Sequence, residues 1–182
     1  MSEHNRVKRV LFVCTGNTCR SSMAEELFNR KVRDMSLSVL LKATSAGLMA
    51  FDGMPAPREA QQVASEQGGD LSGHQARLAT EDMLREADLV LTMTRSHKGQ
   101  LQAQYADLET PIFLLKEYAA MLDQALGKDD GADVAEMDGD RDIQDPIGGD
   151  LDVYRETYRE LEEAIDKILR YVKAHGDLYD TD

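Results

Sequence analysis

Four short apolar runs are spaced along the chain, and stretches with apolar residues every three or four positions lie between and after them. The first run, Val10-Leu11-Phe12-Val13, is β-prone and the right length for a buried strand. The residues from Cys14 to Arg20 are small, polar or reactive, and a helical pattern then opens. It runs from Ser21 to about Met35, with Ala24, Leu27, Phe28, Val32 and Met35 on one face and Ser21 in a capping position. Ser38 to Ser45 reads as a second strand. Gly47 to Pro57 holds two glycines, two prolines and Phe51, and reads as a loop with Phe51 as its aromatic anchor. Pro57 to Gln67 reads as a helix closed by Gly68-Gly69, Leu71 to Thr80 as a connector, and Thr80 to Glu86 as a short capped helix. Asp88 to Met93 and Pro111 to Leu115 supply the third and fourth strands, followed by helices over Ser96 to Tyr105 and Lys116 to Leu126. Leu151, Tyr154, Tyr158, Leu161, Ile165, Ile168 and Val172 form one apolar stripe along a long last helix, suited to packing on a sheet.

Strands that alternate with helices in this way imply right-handed crossovers and a parallel sheet with helices on its faces, an α/β fold. At 182 residues, with no repeat and no internal linker, the chain is expected to form a single domain over 1–182. One stretch stands apart. Gly127 to Gln144 is rich in Gly and Asp, and from Asp129 to Asp145 there are eight acids and one base, so it reads as an acidic surface insertion. The net charge of −13 speaks against a nucleic-acid partner and describes a solvated acidic surface. No window approaches the ~18 apolar residues of a membrane span. The run ending at Val13 is too short for a signal peptide. Two cysteines point to a reducing compartment, so a cytoplasmic protein is expected, with a monomer as the simplest state.

Cys14 stands where the first strand ends, and Arg20 where the first helix begins. Open α/β sheets bind ligands at that edge. A loop entering a helix gathers inward backbone N–H groups, which take anions, phosphate above all. A helix amino end and a neighbouring arginine favour thiolate over thiol. The planar fork of Arg20 suits two phosphate oxygens at once. Other readings fit less well. The loop lacks a Gly-Lys-Ser/Thr ending, and Gly16 alone makes no dinucleotide fingerprint. Four residues separate Cys14 from Cys19 where a thioredoxin motif has two, and no further His or Cys lies close enough in sequence to complete a zinc site.

The run Cys14-Thr15-Gly16-Asn17-Thr18-Cys19-Arg20-Ser21 resembles the Cys-x5-Arg-Ser signature of the low-molecular-weight protein tyrosine phosphatases. The likeness extends to Ser45-Ala46-Gly47, to Ala87-Asp88-Leu89-Val90-Leu91-Thr92-Met93 and to Asp145-Pro146, and so covers nearly the whole chain. It implies a central four-stranded parallel sheet flanked by helices on both faces, with the phosphate-binding loop between strand 1 and helix 1. It also implies two displacements. Cys14 attacks phosphorus and becomes a phospho-cysteine, while Thr15, Gly16, Asn17, Thr18, Cys19 and Arg20 hold the oxygens. Asp145 protonates the leaving group and then activates water, because the reverse proton transfer uses the same group. Ser21, Ser45 and His74 match supporting hydrogen-bond partners, and Asn17 a residue that tolerates left-handed backbone. No metal and no cofactor is implied. Cys19 is implied as a redox partner that shields Cys14 from over-oxidation under peroxide. The family usually carries Pro where this chain has Ser22, and its Gly47 to Pro57 region borders the site mouth, which gives Phe51 a second reading as a rim residue.

Within the family the likeness is greatest to bacterial protein-arginine phosphatases, which carry Thr where tyrosine phosphatases usually carry Ile or Leu. Here that position is Thr18. Ile147 stands where tyrosine phosphatases typically place tyrosine, which weakens a tyrosine reading without establishing an arginine one. The expected partners are phosphorylated protein substrates, with phosphoarginine favoured and phosphotyrosine second. Arsenate reductase is a remote alternative, since that chemistry uses further cysteines. A non-catalytic phosphoprotein binder would lack Cys14 or Asp145.

Overall fold

The computed structural model describes residues 6–127 and 141–178. Strand β1 (Lys8–Cys14) leads through the Cys14 loop into helix α1 (Arg20–Asp34), then β2 (Leu41–Gly47), α2 (Arg58–Glu66) and α3 (Glu81–Glu86). β3 (Leu89–Thr92), α4 (Arg95–Gln104), β4 (Ile112–Leu114), α5 (Leu115–Ala125) and α6 (Leu151–His175) complete the described chain. The strands form one sheet in the order β2-β1-β3-β4, every pair parallel. Val10 to Val13 is buried on both faces, which is why it reads as a continuous apolar run rather than an alternating one. Val10 and Phe12 face a core built with α1, α5 and α6, while Leu11 and Val13 face a smaller one that includes Leu84 of α3 and Leu101 of α4. The chain leaves β1 for β2 on one side, and β3 pairs on the other. That reversal of direction opens a crevice at the carboxyl end of β1, where Cys14 sits.

The expected elements are all present, with shifted ends. β2 starts at Leu41 instead of Ser38, because the N–H groups of Leu40 and Leu41 both reach back to Leu37 O (2.8 and 3.1 Å) and close a turn. Ser36, at φ 59°, reverses the chain just before it. β2 is also an edge strand, and Asn29 covers that edge. Its amide donates to Ala43 O (3.0 Å) and accepts from Ala43 N (2.9 Å), the two groups a foreign strand would pair with. α6 carries the apolar stripe onto α1, α2 and α5, capped by Asp150 at its start and by Gly176 at φ 81° at its end. Among the described residues no helix is long and apolar enough to cross a membrane.

Most of the acidic insertion, 128–140, lies outside the described residues. Its last part is not a surface loop as expected. Ile143 is fully buried and its N–H donates to Met93 O at the end of β3 (2.8 Å). One apolar side chain in an acidic run is enough to dock that segment beside the sheet. Asp142 assists, accepting from Arg95 N at 2.8 Å.

Candidate active site

The loop from Cys14 to Cys19 is folded by Asn17. Its backbone is left-handed (φ 55°), a conformation an asparagine tolerates. Its side chain donates to Ser21 Oγ (2.9 Å) and Ser45 Oγ (2.8 Å) and accepts from Arg77 N (2.9 Å). Its carbonyl contacts His74 Nε2 at 2.6 Å. Ser45 in turn bonds Glu25, which also lies 3.6 Å from Arg77. The chain of donors has a direction. Ser45 gives its proton to Glu25 and so accepts from Asn17. Ser21 likewise accepts from Asn17, which leaves its own proton for two acceptors, the Cys14 sulfur 3.0 Å away and the longer contact to Ala46 O at 3.5 Å. Asn17 N–H also points at that sulfur, at 3.3 Å. Two donors therefore converge on Cys14 Sγ, which is buried.

Ser21 is not the helix cap. α1 begins at Arg20, Cys19 is its N-cap, and among the described residues that cap makes no side-chain hydrogen bond. The Ser21 hydroxyl is taken up by Cys14, Asn17 and Ala46 O, and Ser22 bonds back to the carbonyls of Thr18 and Cys19 (2.7 and 2.8 Å). Among the described residues the amides of Thr15, Gly16, Thr18 and Cys19 have no protein acceptor. An uncapped amino end with a run of unused N–H groups is what an oxyanion needs.

Arg20 is buried although charged, and its contacts are specific. Nη1 donates to Ile143 O (3.0 Å), and Nη2 to Asp145 Oδ2 (2.7 Å) and more weakly to Thr15 Oγ1 (3.4 Å). Among the described residues its Nε–H has no partner. The structure thus brings Cys14, Arg20 and Asp145 together, but Asp145 contacts the guanidinium that was expected to serve phosphate. Asp145 is part-exposed and also accepts from Ile147 N (3.3 Å), a turn set by Pro146 between them. Thr18 lies on the loop with Oγ1 3.7 Å from where a Cβ on Gly16 would stand and 3.6 Å from Cys19 Sγ. Ile147 is 66% exposed, and Phe51 is 80% exposed, so it anchors nothing. Phe51 belongs to a loop tied to the site through Met49 N–H on Thr15 O (2.9 Å).

Cys14 and Cys19 are both free and buried. Cys19 turns toward α6, with its sulfur 3.5 Å from Tyr154 Oη. Burial pushes its thiol pKa up, against the hydrogen bonds to Tyr154 and Thr18 and with a smaller push from Asp145. Sequence reasoning missed His97, whose Nε2 lies 2.9 Å from Thr15 Oγ1, and Glu25, hidden among the polar positions of α1. The only signal for His97 was Thr94 as a helix cap, which places the residue three positions on at the ligand edge of the sheet.

A parallel sheet with a cysteine-arginine anion loop at its switch point defines a phosphate-handling α/β enzyme. Residues 9–178 match the low molecular weight phosphotyrosine protein phosphatase family, and the chain belongs to it. It is 35% identical to a protein-arginine-phosphatase of Bacillus subtilis over 90% of this chain and 96% of that one. The solved low molecular weight protein tyrosine phosphatase of T. tengcongensis is 41% identical, with a TM-score of 0.72 over 90% of this chain and 98% of that one. A third relative is the YwlE arginine phosphatase, solved as a cysteine-to-serine variant with its active-site serine phosphorylated. It is 34% identical, with a TM-score of 0.75 over 91% of this chain and 95% of that one. The chain is a cysteine-based protein phosphatase of the low-molecular-weight type.

Proposed function

We propose that this enzyme hydrolyses phosphoarginine on proteins in the cytoplasm through a phosphocysteine on Cys14. The Cys14 sulfur attacks phosphorus and the P–N bond breaks. Asp145 gives its proton to the departing guanidine nitrogen. Asp145 then takes a proton from water, the resulting hydroxide attacks phosphorus, and sulfur leaves as a thiolate that accepts from Ser21 and Asn17. The unused loop amides and Arg20 carry the charge on the phosphoryl oxygens.

The substrate choice rests on Thr18. Its hydroxyl and small size suit a guanidinium, whereas an isoleucine there would pack a phenol ring. Overall similarity does not decide the matter, since the relatives include both a protein-arginine-phosphatase and a tyrosine phosphatase at comparable identity. Phosphotyrosine stays as the second reading on the strength of the 41% identical tyrosine phosphatase. The test is a side-by-side assay of phosphoarginine and phosphotyrosine peptides with wild type and Thr18→Ile. The variant is expected to shift the ratio of kcat/KM values toward tyrosine by about 10- to 200-fold. An unchanged ratio removes Thr18 as the selector.

Cys19 is assigned the redox role, closing a disulfide on Cys14 under peroxide that a thiol reductant reopens. Wild type is expected to regain activity after peroxide and dithiothreitol, and Cys19→Ala to lose it permanently. Equal permanent loss in both proteins would remove the role.

A further inference from the structure

We propose that His97 is a positioning residue of this phosphatase: through the Thr15 hydroxyl it holds the Arg20 guanidinium in the pose that receives the phosphoryl group. The inference rests on the reading of Arg20 as the phosphate grip.

His97 lies in the first turn of α4, where its N–H donates to Thr94 Oγ1 (3.2 Å) and its ring is turned inward with 5% exposure. Its Nε2 is 2.9 Å from Thr15 Oγ1, and Arg20 Nη2 reaches the same oxygen at 3.4 Å. A guanidinium only donates, so the Thr15 oxygen accepts from Arg20. The Thr15 hydroxyl proton then has one acceptor among the described residues, His97 Nε2. That arrangement assigns a neutral imidazole carrying its proton on Nδ1, which is buried and has no partner among the described residues. Electrostatics agree. Burial first, then the Arg20 charge, hold the His97 pKa down to about 4, against the opposing pull of Asp145 and Asp142. A protonated ring would place a hydrogen on Nε2, compete for the Thr15 oxygen and set a second cation beside Arg20.

The other holds on Arg20 explain why this one matters. Ile143 O and Asp145 both belong to the segment that brings the carboxyl to the site. Asp145 must release Arg20 when it exchanges protons with substrate and water. Thr15 and His97 sit instead at the end of β1 and the start of α4. Their contact persists through the cycle and keeps the fork aimed while Asp145 changes partner.

The experiment compares inhibition by inorganic phosphate with steady-state hydrolysis of p-nitrophenyl phosphate in wild type, His97→Ala, His97→Gln, Thr15→Val and the Thr15→Val/His97→Ala double variant. Each of His97→Ala and Thr15→Val is expected to raise the phosphate Ki and the KM about tenfold, with a smaller change in kcat. The double variant is expected to be no worse than either single one, because both cut the same link. His97→Gln, which restores a polar atom near Nε2, is expected to recover most of the loss. An unchanged phosphate Ki in His97→Ala, or effects that multiply in the double variant, would overturn the assignment. So would a step near pH 6.5 in the wild-type phosphate Ki that vanishes in His97→Gln, since it would show that the ring titrates as an ordinary histidine. If His97→Ala does not fold, Thr15→Val decides alone: an unchanged Ki refutes the link. Arg20→Lys separates the underlying reading. If it leaves the phosphate Ki unchanged, Arg20 is not the grip; if it weakens phosphate while Thr15→Val does not, only the role of His97 falls.

Discussion

Asp145→Asn is expected to lower kcat on phosphoarginine peptides by about 10²- to 10⁴-fold and, in the same protein, to tighten inhibition by inorganic phosphate. The two effects have separate causes. A guanidine nitrogen leaves phosphorus only when it gains a proton, and the Asn amide can donate a hydrogen bond but is too weak an acid to transfer that proton. p-Nitrophenolate leaves without one, so the loss on p-nitrophenyl phosphate is expected to be much smaller in the first displacement. The gain in phosphate affinity comes from Arg20. Asp145 Oδ2 lies 2.7 Å from Arg20 Nη2, so the carboxylate competes with phosphate for the same donor. Asn keeps an acceptor there but removes the charge. Steady-state kinetics on both substrates, with phosphate Ki measured alongside, read the two directions at once. A damaged fold would worsen both quantities. Equal kcat in variant and wild type on the peptide would deny Asp145 the role of acid.

Much of this site was legible because it is local. Cys14, Asn17, Arg20 and Ser21 lie within one loop and one helical turn, and the apolar run before them fixes which end of the strand they occupy. The central runs of the strands were legible for a related reason: a parallel sheet covered on both faces needs unbroken apolar segments. Strand ends were not, since the turn at Leu37 that claims Ser38 to Leu40 is a matter of backbone bonds rather than residue type. Contacts across the chain were the least legible. Asp145 meets Arg20 from 125 positions away, and only the family resemblance pointed to it. His97 meets Thr15 from 82 positions away, and the Thr94 cap three residues earlier marks a helix start without pointing to that partner. Glu25 reads as one more solvated carboxylate on a helix, yet it sets the direction of the proton chain to Ser21. Ile143 was lost inside an acidic, glycine-rich run whose composition says surface, although its side chain and both its backbone groups are claimed by the core, Met93 and Arg20.

Gly47→Ala is expected to cost about 1–3 kcal/mol of stability and to lower kcat/KM about 10²-fold on any substrate. Gly47 closes β2 opposite Cys14. A Cβ there would stand 2.5 Å from Thr15 O, 2.8 Å from Asn17 N and 2.9 Å from the Gly16 carbonyl carbon. All three are backbone atoms of the anion loop, so no side chain can rotate away. The strand cannot easily retreat either. Gly47 N donates to Arg77 O (3.0 Å), and Gly47 O accepts from Ala79 N (2.8 Å). Beyond it, Leu48 N and Met49 N hold the carbonyls of Cys14 and Thr15, each at 2.9 Å. The extra methyl therefore pushes the loop, and the loop carries the Asn17 N–H that faces the Cys14 sulfur. The demand is for space and not for an unusual conformation, since Gly47 is absent from the residues at positive φ among those described. Serine is therefore expected to fail as alanine does. Urea denaturation together with p-nitrophenyl phosphate kinetics on the folded protein checks both parts. A stability loss with full activity would mean that the strand yields and the loop keeps its shape, contrary to the anchoring described by the Arg77, Ala79, Leu48 and Met49 bonds.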